Sequence, residues 1–313
     1  MSALLFPGQG SQVVGMGAEL YNNYQSVKDI FNIADEKLKY PISKMILSGP
    51  SEDLQLTENT QPAILTVSYS IFKVLKEEFD FSFNNFRYFA GHSLGEYSAL
   101  VCSESLEFKD ALYLLHERGK AMQKAVPVGK GNMIAVLGSK IDEIKNFLDS
   151  RSNKKGVCEI ANDNAEGQVI LSGDKESIES IQSDLKNKKI KSIPLKVSAP
   201  FHCSLMKPAA ESMREKIDNT IFKKPIFEIV NNVTAQPESD PINIKKLLIQ
   251  QIFSTVKWRE SIIRMSKEGI LNYIEIGPGK ALSGMVKRTL SNVNSFSINS
   301  ITDIKNFKNE FKK

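Results

Sequence analysis

The chain reads as an α/β protein in two parts, a large domain built on a parallel sheet and a small strand-rich domain inserted into it. Two patterns predict this. Short apolar runs that end in Gly or Pro turns and pass into helical periodicity recur at both ends of the chain, as strands joined by crossover helices do. Between them, about residues 126 to 197, the runs come closer together and follow a different order.

The first pattern begins at Ser2–Phe6, an apolar run closed by Pro7-Gly8. A helical first quarter follows, interrupted by Pro50, Pro62 and several Ser, Thr and Asp caps. Arg87–Ala90 is a second short strand, and the segment GHSLGEYSALVCS turns directly into a helix. Phe108–Lys124 is a strongly periodic helix. In the central block the order is strand 132–138, helix 141–150, strand 157–162, strand 168–173, helix 174–189 and strand 190–197, with Asp174 at a helix N-cap position. That βαββαβ order is the ferredoxin-like unit, and Pro127 and Pro200 mark its edges. Strand–helix alternation then resumes with IFEIVNN, a helix around Lys245–Phe253, the strand YIEI, and a closing helix after Gly277-Pro278-Gly279-Lys280. The expected division is residues 1–125 and 198–313 for the large domain and 126–197 for the insertion.

Composition narrows the class. With 41% hydrophobic and 25% charged residues over 313 positions, the chain can bury a sizeable core. No apolar window reaches the roughly 18 residues of a transmembrane helix. The start of the chain has neither a basic n-region nor a small-residue cleavage site, so the protein is expected to be unexported, or to have lost a targeting segment. Cys102, Cys158 and Cys203 lack CxxC spacing, which argues against zinc and against a disulfide framework and suits a reducing compartment. The net charge of +5 is mild, and no Lys/Arg cluster with interleaved aromatics marks a nucleic-acid partner. No long apolar heptad calls for a coiled-coil partner.

Chemistry concentrates at Gly91-His92-Ser93-Leu94-Gly95, a G-x-S-x-G between a strand and a helix. In α/β-hydrolase-type sites such a turn exposes a nucleophilic serine, so the large domain is expected to be hydrolase-like. Ser93 then needs a base, and the chain has three histidines. His92 adjoins the serine in a tight turn, and His116 lies at the edge of an apolar helix stripe. His202 follows a strand and a proline-marked turn, which makes it the best candidate. At about 100° per residue, Phe108, Ala111, Leu112, Leu115, Gly119 and Met122 form an inward stripe, and Arg118 falls beside it. Such an arginine either pairs with an internal carboxylate or grips one belonging to a ligand. Neither Pro7–Gln12 nor Gly277–Lys280 completes a nucleotide-binding loop, although the first could present backbone N–H groups to an oxyanion.

Five segments together, PGQGSQ, GHSLGEYSAL, HERGKAMQ, APFHC and IEIGPGKAL, resemble the malonyl-CoA:acyl carrier protein transacylases in order and spacing over nearly the whole chain. The resemblance implies that Ser93 takes the malonyl group from malonyl-CoA, with His202 as base. It implies an oxyanion hole from the backbone of Gln9 and Leu94, and a carboxylate grip by Arg118. Gln251, in QIFSTVKW, would orient His202 through its backbone carbonyl, replacing a triad acid. Phe201 matches an arrangement associated with malonyl rather than methylmalonyl acceptance. Met122 and Asn162 complete the substrate-binding candidates, the latter in an Asn162-Asp163-Asn164 stretch that also reads as a strand-end turn. The acceptor would be the phosphopantetheine thiol of acyl carrier protein, with extender units for fatty acid synthesis as the product. No cofactor or metal is implied, and no nucleic acid or membrane; the expected protein is a cytoplasmic monomer, or one of an organelle stroma or matrix if a transit peptide has been removed. Other acyltransferases of the same fold, a plain serine hydrolase and an inactive carrier-binding subunit are the competing readings.

Overall fold

A computed structural model describes residues 1–151, 156–197 and 199–311. In chain order, β1 (Ser2–Phe6) and β2 (Phe86–Gly91) precede a block of four strands. These are β3 (Gly131–Leu137), β4 (Cys158–Ala165), β5 (Gln168–Asp174) and β6 (Lys191–Pro194). β7 (Glu228–Val230), β8 (Pro237–Glu238), β9 (Asn272–Ile276) and β10 (Asn294–Ile298) follow.

The protein is mixed α/β with a mainly parallel sheet, ordered β10-β9-β1-β2-β7-β8. Only the β7–β8 pair is antiparallel. β1 lies in the middle, and both of its faces are covered, which is why SALLF is apolar throughout rather than alternating. Leu4 and Phe6 enter the larger core with helices Thr57–Lys73 and Phe108–Ala125. Ala3 and Leu5 enter a smaller one with Trp258, Ile262 and Val286. Successive side chains of a strand point to opposite faces, so this one run of residues ties the two layers together.

The second sheet is antiparallel, ordered β4-β5-β3-β6. Ile134, Val136, Val169 and Leu171 pack on one face against helices Ile141–Asp149 and Lys175–Asn187. Met133, Ala135 and Ile170 on the other face join the large core. At its edge, β4 bonds to the backbone of Val256, with Val256 N to Ala161 O at 2.8 Å and Asp163 N to Val256 O at 3.0 Å. Arg259 seals the same contact through its Nε, which donates to both carboxylate oxygens of buried Asp163, at 2.9 and 3.1 Å.

Several elements differ from the sequence reading. Asn162–Asn164 is strand, not a strand-end turn, because Val256 supplies β4 with a partner there. The helix expected around Lys245–Phe253 is Pro241–Gln251, started by Asp240, whose side chain accepts from Ile242 N. β10 was not foreseen, since its half-exposed NSFSI carries little apolar signal. The helices Lys207–Asp218, Trp258–Lys267 and Ile301–Phe311 were not singled out either. Residue 198, the expected start of the second stretch of the large domain, lies outside the described residues.

β2 passes into the helix Gly95–Cys102 with almost no room between chains. A Cβ on Gly91 would overlap the backbone of Gly95, and one on Gly95 would overlap the carbonyl of Phe6. Gly284, in the helix Ala281–Thr289, would meet nothing within 4 Å. Gly91→Ala is therefore expected to destabilise the fold by about 3 kcal/mol or more, whereas Gly284→Ala should stabilise it by about 0.5–1 kcal/mol. Chemical denaturation of both variants checks this, and equal midpoints would show that the turn is not sterically limited.

Candidate active site

The turn at the carboxyl end of β2 places Ser93 in left-handed backbone, at φ 54°. A non-glycine residue there is strained and persists only when its surroundings hold it. Here the hold comes from Asn232, just past the end of β7. Its Oδ1 accepts from Ser93 N at 2.7 Å, and its Nδ2 donates to Gly91 O at 2.8 Å. One side chain thus closes both ends of the bend.

His202 is also left-handed, at φ 57°, and buried. Its Nε2 lies 2.8 Å from Ser93 Oγ, and its Nδ1 lies 2.9 Å from Gln251 O. A carbonyl only accepts, so Nδ1 carries the hydrogen and Nε2 is left to accept from the serine. Burial pushes the imidazole pKa down to about 3, and the nearby Arg118 charge acts in the same direction. The ring is therefore neutral at ordinary pH.

Arg118 comes from the helix Phe108–Ala125 and is 1% exposed. Its Nη1 donates to Gln61 Oε1 at 2.7 Å, and its Nη2 donates to Gln251 Oε1 at 2.8 Å and to Ser93 Oγ at 3.1 Å. The guanidinium lies over the Tyr97 ring, 5.8 Å from its centroid, and its Nε has no partner. Among the described residues no carboxylate bonds to it. Helix phase left open an internal ion pair or a ligand grip; the internal ion pair is absent.

These groups open on a cleft of about 620 Å³ whose lining includes Gln9, Leu94, Met122, Asn162, Phe201 and His202. The backbone N–H groups of Gln9 and Leu94 are taken by no other group among the described residues. Gln61 Nε2 donates to Met122 Sδ at 3.8 Å. The other two histidines are engaged elsewhere. His92 Nε2 is 2.8 Å from Asn164 Oδ1, and His116 Nδ1 is 3.1 Å from Glu58 O. No group of side chains among the described residues could hold a metal ion, and no helix is long and apolar enough to cross a membrane.

Sequence reasoning missed Gln61, Glu96 and Asn232. Glu96 resembles an ordinary first-turn helix acid, but it is 2% exposed. Burial raises its pKa to about 7, against hydrogen bonds from Asn232 N and Gln251 and the charge of Arg118. Asn232 had a weak signal, since it lies at the carboxyl end of a parallel strand, where α/β sites gather.

Comparison with known proteins bears on this geometry. The acyl transferase domain family matches residues 3–312. A malonyl CoA-acyl carrier protein transacylase of Bacillus subtilis is 44% identical over 291 residues, which is 91% of this chain and 89% of that protein. The chain belongs to this transacylase family. It is an acyltransferase. Among solved structures, an acyl-carrier-protein-S-malonyltransferase from Bartonella henselae superposes with a TM-score of 0.95 at 36% identity, covering 100% of this chain and 99% of that one. A malonyl-transacylase solved in complex with its type II PKS acyl-carrier protein gives 0.93 at 36% identity, over 97% of each chain.

The neutral imidazole has a consequence for stability. The unfolded chain protonates His202 near 6.5, but the folded protein resists this until about 3. Stability from this group is thus complete above 6.5 and is lost as pH falls toward 3, because the unfolded state binds the extra proton. Wild type should therefore lose stability across this range more steeply than His202→Asn, as measured by urea unfolding at stepped pH. Parallel curves would mean that His202 is accessible to protons in the folded state.

Proposed function

We propose that the protein transfers a malonyl group from malonyl-CoA to the phosphopantetheine thiol of acyl carrier protein through a malonyl ester on Ser93, supplying extender units for fatty acid synthesis. The observation that carries this reading is a buried arginine fork, free of any protein carboxylate, touching the Oγ of a serine that also bonds to a neutral histidine. Its family membership supports the same reading.

Ser93 Oγ attacks the thioester carbonyl while its proton passes to His202 Nε2, and the oxyanion is met by Gln9 N–H and Leu94 N–H. The intermediate collapses, the carbon–sulfur bond breaks, and His202 returns the proton to the leaving coenzyme A thiolate. The carrier thiol then gives its proton to His202, attacks the malonyl ester, and releases Ser93 Oγ, which recovers that proton. Gln251 O keeps the Nδ1–H tautomer throughout.

Malonyl has one methylene between its reacting carbonyl and its carboxylate, so a fork already in contact with Ser93 Oγ is within reach of that carboxylate. An unpaired carboxylate there would cost several kcal/mol. An acetyl group would leave Arg118 unmatched, so the same residue selects against it. Phe201, Met122 and Asn162 also line the cleft and are read as its remaining contacts to substrate.

We read the larger part, 1–125 and 198–313, as hydrolase-like and the insertion, 126–197, as ferredoxin-like, on the strength of the antiparallel β4-β5-β3-β6 order. Ser93, His202, Arg118 and Gln251 come from one chain, which supports a monomeric working unit. The free cysteines, none of them fully exposed, favour a reducing compartment such as the cytoplasm.

Intact mass after incubation with malonyl-CoA should show one malonyl adduct, absent in Ser93→Ala and strongly slowed in His202→Ala. An adduct that persists in Ser93→Ala would overturn the nucleophile assignment. Arg118→Ala should reduce malonyl transfer on the order of a hundredfold while acetyl transfer falls far less. Equal losses on both acyl groups would make Arg118 a structural residue only.

A further inference from the structure

Glu96 lies on the first turn of the helix that follows Ser93, and its side chain neither bonds to Arg118 nor lines the cleft. Its Oε2 accepts from Gln251 Nε2 at 2.8 Å and from Asn232 N at 3.0 Å. The Gln251 amide also donates to Ser93 O at 3.1 Å and approaches Asn232 Oδ1 at 3.3 Å. Its other end, Oε1, accepts from Arg118 Nη2 at 2.8 Å.

These contacts determine which way round the amide sits. Nε2 faces three oxygen acceptors, and Oε1 faces a cation. A flipped amide would set its oxygen against those three oxygens and its NH₂ against a guanidinium, which no hydrogen-bond pattern satisfies. Glu96 is the only one of the three that can ionise, and in its ionised form its bond to the amide is about twice as strong as a neutral one. The amide of Gln251 therefore lies dipole-aligned between the Glu96 carboxyl and the Arg118 cation, both out of water. Gln61, the other amide on the arginine, has among the described residues only the Met122 sulfur, at 3.8 Å, on its NH₂ side. Of the two supports under Arg118, the one anchored by Glu96 is much the firmer.

We infer that Glu96 is a positioning residue for acyl-group selection: through the Gln251 side chain it holds the Arg118 fork in the orientation that receives the malonyl carboxylate. The route to His202 is separate, since that ring bonds to the Gln251 backbone. Losing Glu96 should therefore disturb the grip on the carboxylate more than the chemistry at the serine. This inference rests on the malonyl-transfer reading given above.

The test compares malonyl and acetyl transfer, measured as kcat/KM with malonyl-CoA and acetyl-CoA, in wild type, Glu96→Ala, Glu96→Gln and Gln251→Met. Glu96→Ala should lower the malonyl-to-acetyl ratio about tenfold or more, chiefly through malonyl. Glu96→Gln, whose amide oxygen can still accept from Gln251, should keep most of the ratio. Gln251→Met, which spares the backbone carbonyl, should lower it as Glu96→Ala does, and the double variant should be no worse than either single one. If Glu96→Ala folds and loses both activities equally, or if its effect adds in full to that of Gln251→Met, the inference is overturned. If Glu96→Ala does not fold, Gln251→Met with Glu96→Gln decides: an unchanged ratio in Gln251→Met, or a ratio in Glu96→Gln as low as in Gln251→Met, overturns it. Wild type that forms no malonyl adduct would instead sink the malonyl-transfer reading itself, a result separate from any of these ratios.

Discussion

The polar groups that hold Ser93, His202 and Arg118 are arranged around Gln251. Its backbone carbonyl holds His202, its amide oxygen holds Arg118, and its amide nitrogen reaches Ser93 O, Glu96 and Asn232. The residue is 1% exposed, so none of these bonds has water as a substitute. A buried polar group left without a partner costs on the order of 1–3 kcal/mol, more if it is charged, so the network holds together only if it is complete. That requirement brings the end of one helix, the elbow after β2, the end of β7 and the turn before Lys207–Asp218 to a common point.

The same arrangement keeps two ionisable side chains, Arg118 and Glu96, in a dry interior without a direct bond between them. An amide between them links the two through its dipole, and the guanidinium bonds only to neutral groups among the described residues, Ser93 Oγ included. A direct ion pair would have satisfied the arginine more simply, but it would have left no fork for a ligand. Backbone strain follows the same logic. Ser93 and His202 both sit at positive φ, and each is held there by side chains or carbonyls from distant segments. The parallel sheet provides the rigid frame, since strands covered on both faces resist the small shifts that would relax these turns.

Much of the fold was legible because apolar periodicity is a local property. SALLF, the G-x-S-x-G turn and the helix Phe108–Ala125 announce themselves over a few residues each. β10 and the helices Lys207–Asp218, Trp258–Lys267 and Ile301–Phe311 were less visible, since edge position or mixed polarity weakens the pattern. In the site, Ser93 and His202 could be read from turn chemistry and from elimination among three histidines. Gln61 and Glu96 could not, because a glutamine or glutamate on a helix is unremarkable until its surroundings are known, and Asn232 had only its place after a parallel strand to mark it.

Taken alone, the amino-acid order determined the α/β class, the strained serine turn and an inward arginine, since each follows from the spacing of residues along a few turns of chain. Tertiary structure decided what that arginine meets. Helix phase specifies the face on which a side chain lies, but not the groups opposite it, which for Arg118 come from residues 25 to 133 positions away. Whether Arg118 would meet an internal carboxylate or only neutral groups was therefore undetermined by sequence. It was settled by long-range closure, which set two amide oxygens and a serine hydroxyl around it.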